Sequence, residues 1–301
     1  MPGRQPLAHS RERTVAIAEE LRMEHQAPSM VSLPAAPLRP YISHYWFSRN
    51  NRAPTYTVLP DGAVDLVVVA GYSGRQRADM YGTSRCRIQL VLELGVDYLG
   101  VRFRPGQSRH FLDAKAAELT NLAVPAHGQL VSDILAASEC IDGDYIFAQL
   151  DRILSKHLAR CSPQQSKLDS LIHQLSSCQG NFGQATSCKE EHAGSFHSVA
   201  RLAATYGKSR RQFERDFVEI VGLSPKHFSQ VIRVQRATRL LTHSQLSLAD
   251  IAFDLGYTDQ SHFTHEFVGF HGLPPSRARA DVAFLQDTNQ PVDHNEHSIL
   301  T

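Results

Sequence analysis

The sequence predicts an α+β protein: a strand-rich N-terminal domain with flanking helices, then an all-α domain of two helix-turn-helix lobes joined by a long helix. Three observations carry that division. Between residues 38 and 130, short β-prone runs alternate with turns containing Gly and Pro. Between residues 195 and 282, apolar residues recur at helical spacing. Within that second stretch one pattern occurs twice, fifty residues apart.

Taken in order, residues 1–37 are expected to form a flexible lead segment. Residues 13–26 suit a short helix, which Pro34, Pro37 and Pro40 separate from the body of the chain. Residues 41–47 are aromatic and strand-like. Leu59-Pro60-Asp61-Gly62 signals a turn, and the β-rich run 63–69 follows it. Two further strands are expected at 88–94 and 98–104. The second alternates Leu99, Val101 and Phe103 inward with Arg102 and Arg104 outward. After Pro105-Gly106 the chain turns helical, through Phe111-Leu112 and Ala114 to Leu119. Residues 131–194 are assigned to a helical dimerisation or linker region. Its apolar positions, Ile134, Leu135, Ile146, Phe147, Leu150, Ile153 and Leu154, suit either a dimer contact or packing within one chain.

The repeat is the most specific feature. Phe213-Glu214-Arg215-Asp216-Phe217-Val218, closing with Gly222-Leu223-Ser224-Pro225, returns as Phe263-Thr264-His265-Glu266-Phe267-Val268, closing with Gly272-Leu273-Pro274-Pro275. Upstream, Val199-Ala200-Arg201-Leu202-Ala203 with Tyr206-Gly207 reappears as Leu248-Ala249-Asp250-Ile251-Ala252 with Leu255-Gly256, after a slip of one residue. Each copy reads as a helix, a glycine turn and a second helix. In the first copy Val199, Leu202, Ala203 and Tyr206 share a face, Ser209 is placed to cap the second helix, and Phe213, Phe217 and Ile220 bury together. Arg211 and Arg215 then fall opposite Phe213 on an exposed face. Such a face fits the major groove of DNA, where arginine reads guanine with two hydrogen bonds. An Arg pair at this spacing is usually only a solvated face. Two copies in register, each ending in Gly-Leu-x-Pro, argue for the DNA reading.

On these residues, 196–279 resemble the DNA-binding domain of AraC/XylS-type transcription regulators. Asp250-Ile251-Ala252, Leu255-Gly256-Tyr257, Ser261-His262-Phe263 and Phe267 carry the most specific part of the likeness. The resemblance implies two recognition helices in successive major-groove segments, with a spacer helix opening at Ser224-Pro225 and running through Leu241. It places DNA contacts on Arg210, Arg211, Gln212 and Arg215 in the first motif, and on Gln260, Ser261, Thr264 and His265 in the second. The second copy departs from the pattern where His265 stands in place of a basic residue. Leu59-Pro60-Asp61-Gly62 with Gly100-Val101-Arg102-Phe103-Arg104-Pro105-Gly106 likewise resembles an uncharacterised domain that accompanies such regulators. It implies a small β-barrel-like (cupin-like) sensory domain and names no ligand.

Charge divides the two motifs. Residues 201–239 hold nine Lys/Arg against three Asp/Glu, whereas residues 240–280 hold two against four. Phosphate attraction dominates DNA affinity, so the first motif should anchor the complex. The second is left to modest discrimination or to a protein partner such as RNA polymerase. The net charge of +1 and hydrophobic content of 42% otherwise describe an ordinary globular chain. No apolar run approaches a membrane span, and the N-terminus lacks the pattern of a secretory signal. Residues 283–301 are expected to be a disordered tail.

Other chemistry is thinner. His44, Asp65, Arg102 and Arg104 are candidate effector contacts, because arginine suits a carboxylate or phosphate, although alternation equally predicts that both arginines face solvent. Five cysteines with no C-x-x-C pair suit reduced thiols in a cytoplasm. Cys178, Cys188 and His192 match no common zinc spacing, so neither metal nor cofactor is expected. A cysteine methyl acceptor fused to a DNA-binding tail is the enzyme alternative. Ser84-Arg85-Cys86-Arg87 supplies flanking arginines for it but no neighbouring histidine. The expected function is therefore that of a bacterial, cytoplasmic, non-enzymatic transcription regulator, read as an activator. Its expected partners are double-stranded DNA, RNA polymerase, a small-molecule effector and a second copy of the chain.

Overall fold

The structure is a computed structural model, and it describes residues 30–71, 76–138, 143–161, 163–177 and 199–278. The short helix expected over 13–26, the cluster of Cys178, Cys188 and His192, and the expected tail lie outside these residues.

Eight strands are described: β1 (Met30–Ser32), β2 (Ile42–Ser48), β3 (Thr55–Val58), β4 (Val64–Ala70), β5 (Gln76–Tyr81), β6 (Ile88–Val91), β7 (Asp97–Phe103) and β8 (Ala123–Pro125). Six of them pair antiparallel in the order β1-β2-β7-β4-β5-β8, while β3 pairs with β6 as a separate two-stranded sheet. The α+β division is observed, and the sheet is open where a barrel would close. Period-two alternation sets the two faces. Tyr45 and Phe47, Leu99 and Val101, and Leu66 and Val68 point to one side. That face is covered by α2 (Gln129–Ala137) and α3 (Gly143–Cys161), which supply Val131, Ile134, Ile146, Phe147, Leu150 and Leu154. The apolar positions noted from Ile134 to Leu154 pack in or against this core. The opposite face buries Val67, Val69 and Tyr98.

Two expectations change. The strand begun at Ile88 stops at Val91, because Gly95, with φ of 75°, turns the chain and donates to the Asn51 carbonyl. After Gly106 the chain forms only a 3-10 turn (Ser108–His110) and one helical turn, α1 (Ala116–Leu119), where a longer helical stretch was expected. Phe111 and Leu112 are buried there, their amides donating to the Ser108 carbonyl.

The C-terminal core gathers α4 (Lys167–Ser177), α5 (Val199–Tyr206), α6 (Arg210–Val221), α7 (Pro225–His243), α8 (Leu248–Asp254) and α9 (Gln260–His271). α4 contributes Leu168, Leu171, Ile172 and Leu175 to that core. It is also tied to the N-terminal domain through Asp169, which accepts from Arg109 Nη2 at 2.7 Å and Gln107 Nε2 at 2.9 Å. Burial alone would raise the Asp169 pKa. Hydrogen bonds from Ser166 and the Arg109 guanidinium outweigh it and hold the carboxyl below its ordinary value.

Candidate nucleic-acid interface

Each lobe is two helices whose sharp turn is built from capping residues. In lobe one, Gly207 leaves α5 at φ 77°, and the Ser209 hydroxyl accepts from the Gln212 amide at 3.3 Å. In lobe two, Ser247 and Asp250 close a capping box on α8, and Asp259 caps α9 by accepting from His262 N at 2.8 Å. Gly222 and Gly272 end α6 and α9 in the left-handed region that glycine favours. The spacer α7 starts at Pro225 behind the Ser224 cap.

Phasing fixes which side chains face outward. Phe213 and Phe217 in α6, and Phe263 and Phe267 in α9, are fully buried. Val221 completes the first set, and Ile220, partly buried, packs against the same core while also approaching Gly106 of the N-terminal domain. Arg211 and Arg215 therefore stand on the exposed side, Arg215 with 71% of its side chain accessible. Arg210, also exposed, pairs with Glu214 at 2.9 Å, a surface contact of small energetic weight. Gln212 is engaged within the lobe, donating to Asp216 at 2.5 Å. In lobe two, Gln260, Ser261 and His265 are exposed and Thr264 is half-buried.

Both outward faces border open grooves. The first, of about 530 Å³, is lined by Arg210, Glu214 and Arg215 of α6 and by Ser224 and Lys226 at the start of α7. The second, of about 390 Å³, is lined by Gln260, Ser261, Thr264, His265 and Val268. Lys226 was missed in the sequence reading. Its signal was available, because a Lys behind Ser-Pro at a helix start sits where backbone amides already favour an anion. The repeat places Ser276 at the matching position of lobe two, so the charge contrast extends beyond the recognition helices.

Some charges counted for DNA are instead consumed in folding. Glu266 of α9, 9% exposed, accepts from Arg233 Nε and Nη2, Gln230 Nε2 and the Tyr257 hydroxyl, all within 3.0 Å. Burial and the Glu266 carboxylate push the Tyr257 phenol up, so it remains a proton donor. Asp216 is the repeat equivalent of Glu266 and accepts from Tyr206 at 3.1 Å.

In the N-terminal domain, His44, Arg102 and Asp65 lie side by side across β2, β7 and β4. Arg102 pairs with Asp61, and with Asp65 at 3.1 Å, so carboxylates of the same chain already occupy its guanidinium. Arg104 donates to the Arg39 carbonyl at 2.6 Å. His44 is held neutral, its pKa lowered to about 3 by burial and then by Arg102 and Arg104. The ion pairs here are those of Arg102 with its two carboxylates, and the neutral His44 lies beside them. Cys86 is exposed in a segment whose Arg85 carbonyl pairs with the His227 ring. No group of metal-ligating side chains occurs among the described residues, and no described helix is long and apolar enough to cross a membrane.

Comparison with known proteins places both halves. Residues 202–281 match the family described as a helix-turn-helix domain, and residues 30–125 match a domain of unknown function, DUF6597. An uncharacterised HTH-type transcriptional regulator of Haemophilus influenzae is 36% identical over 85 residues, covering 28% of this chain and 28% of the relative. The HTH-type transcriptional activator RhaS of Klebsiella pneumoniae is 30% identical over 98 residues, covering 33% and 35%. The chain thus spans about a third of the length of these relatives. A crystal structure of a transcriptional regulator from Chromobacterium violaceum, of the AraC-type DNA-binding-domain proteins, is 30% identical. It covers 29% of this chain and 77% of that one, with a TM-score of 0.28. The two lobes and their spacer thus lie in a helix-turn-helix domain, residues 202–281, similar to that of curated transcriptional regulators, and a DUF6597 domain, residues 30–125, precedes it.

Proposed function

We propose that the chain regulates transcription by binding DNA with both lobes, α6 and α9 entering successive major-groove segments, and that α6 is the anchor. One observation carries the reading: two capped helices of the same repeat expose polar side chains along open grooves, and only the first groove holds Arg and Lys. Arg211 and Arg215 are placed to read bases, and Lys226 with the α7 N-terminus to hold a phosphate. α9 contributes polar contacts from Gln260, Ser261, Thr264 and His265, worth less affinity because they neutralise no phosphate. Activation through RNA polymerase is the direction we favour, on the likeness to an activator. Selection of binding sites from random duplex DNA by the full chain at low salt tests the reading. Two short half-motifs about one helical turn apart are expected. A single half-motif would remove α9 as a reader, and no enrichment would overturn DNA reading altogether.

A further inference from the structure

The two recognition helices end at equivalent glycines of the repeat, and the N-terminal domain sits on both. At the end of α6, Thr120 Oγ1 donates to the Gly222 carbonyl at 2.9 Å. A Cβ at Gly222 would lie 2.7 Å from Thr83 Oγ1 and 2.8 Å from the Ala116 carbonyl oxygen. At the end of α9, Arg87 lies over Gly272, where a Cβ would meet its Cδ at 2.9 Å and its Nη1 at 3.0 Å. Between these points the His227 Nε2 of the spacer helix lies 2.9 Å from the Arg85 carbonyl oxygen, as donor to it. The same His227 ring packs on Phe270 of α9 with centroids 5.0 Å apart. One five-residue segment, 83–87, therefore runs from the end of one recognition helix to the end of the other.

That segment is itself braced. Asn121 accepts from Arg85 N at 2.9 Å through its side chain and donates its own amide to the Thr83 carbonyl at 2.8 Å. It does so at φ of 61°, a conformation asparagine tolerates better than most residues. Arg87 adds a cation at a helix C-terminus, where the partial charge is negative.

We propose that residues 83–87 are a spacing strap, by which the N-terminal domain holds the C-terminal ends of α6 and α9 at one separation. The consequence rests on the two-lobe DNA reading above. Each added base pair moves a half-motif along and around the duplex, so a strapped pair of helices accepts one half-motif spacing and rejects its neighbours. Arg87, Asn121 and His227 are thus positioning residues for DNA recognition that touch no DNA themselves.

Arg87 and Asn121 are exposed, so Arg87→Ala and Asn121→Gly test the strap without emptying a core; glycine keeps the positive φ and removes only the carboxamide. In the full chain without DNA, amide hydrogen exchange at Gly272 and the last turn of α9 should rise several-fold in both variants. Exchange at buried Phe263 and Phe267 should stay unchanged. Equal exchange in variants and wild type would overturn the strap, whatever the fate of the DNA reading. Next, duplexes carrying the selected half-motifs at the selected spacing, and one base pair longer or shorter, are titrated. The wild type should lose about tenfold in affinity off its preferred spacing, the scale of a mismatched base pair. The variants should lose clearly less and keep wild-type affinity for a single half-motif. Undiminished spacing preference in the variants would overturn the proposal. Absence of any bipartite site for the wild type would instead defeat the two-lobe reading, leaving the exchange result to judge the strap.

Discussion

Arg215 stands one helical turn after Arg211 on an exposed face, and its acidic contact, Asp216, is 3.9 Å away. Its ordering therefore has little value to the fold. Replacing it with Ala should leave the melting temperature unchanged yet weaken specific binding by about 1–3 kcal/mol, with relaxed base preference beneath it. His265→Ala should cost less, and an equal or larger loss in the same anisotropy titration would defeat the asymmetry between lobes. Lys226→Ala should act differently, weakening all sequences alike and reducing the salt slope of binding by about one. The exposed placement of Arg211, Arg215 and His265 was legible in the sequence because it depends only on helical phase, a local property. Gln212 was placed just as locally, but its engagement by Asp216 needed coordinates. The ion pairs of Arg102 were beyond reach for the same reason, since Asp61 in the turn before β4 and Asp65 within β4 meet it from across the sheet.

Elements were legible where a cap or a long period announced them. Ser209, Gly222 and Ser224-Pro225 mark helix ends through chemistry confined to a few residues: α6 begins and ends there, and α7 begins there. Strand β1 and strand β8 have three residues each and owe their existence to a neighbour's open edge, which no local pattern signals. Strand β5, Gln76-Arg77-Ala78-Asp79-Met80-Tyr81, alternates correctly but carries too few apolar residues to stand out. What attaches α9 to α7 was equally hidden: Arg233 and Glu266 are 33 positions apart, and both read as ordinary surface charges. Burial makes them a brace. Glu266→Ala would remove the buried carboxylate that Arg233, Gln230 and Tyr257 share, at a cost of about 3–5 kcal/mol. Asp216→Ala, its repeat equivalent at a more exposed site, should cost clearly less. Urea unfolding of the two variants decides this, and a Glu266→Ala loss under about 1 kcal/mol would mean that apolar packing alone holds the second lobe.

At the scale of the molecule, the joint between the halves is polar and therefore sensitive to pH. α4 lies inside the C-terminal core, yet its Asp169 takes hydrogen bonds from Gln107 and Arg109 of the other domain. Composition and periodicity could show two domains but not this joint, because its partners lie about sixty positions apart and none is apolar. The carboxyl is held below its ordinary pKa, so the folded state binds its proton less readily than the unfolded chain does. Its contribution to stability is therefore complete above the ordinary aspartate value of about 3.9 and is lost as pH falls through the lower folded value. Wild-type protein should lose stability in that acid window. Asp169→Asn should already be destabilised at pH 7, because a neutral amide cannot replace the charge facing Arg109 and its NH2 group is no acceptor for the donors of Ser166. The variant should then show a flatter acid limb, since one titrating group has been removed. Thermal melts of both proteins between pH 3 and pH 7 separate the cases. Parallel curves would show that Asp169 does not govern the acid response, and that the domains are held by the apolar contacts of Ile172 and Ile220 at Gly106.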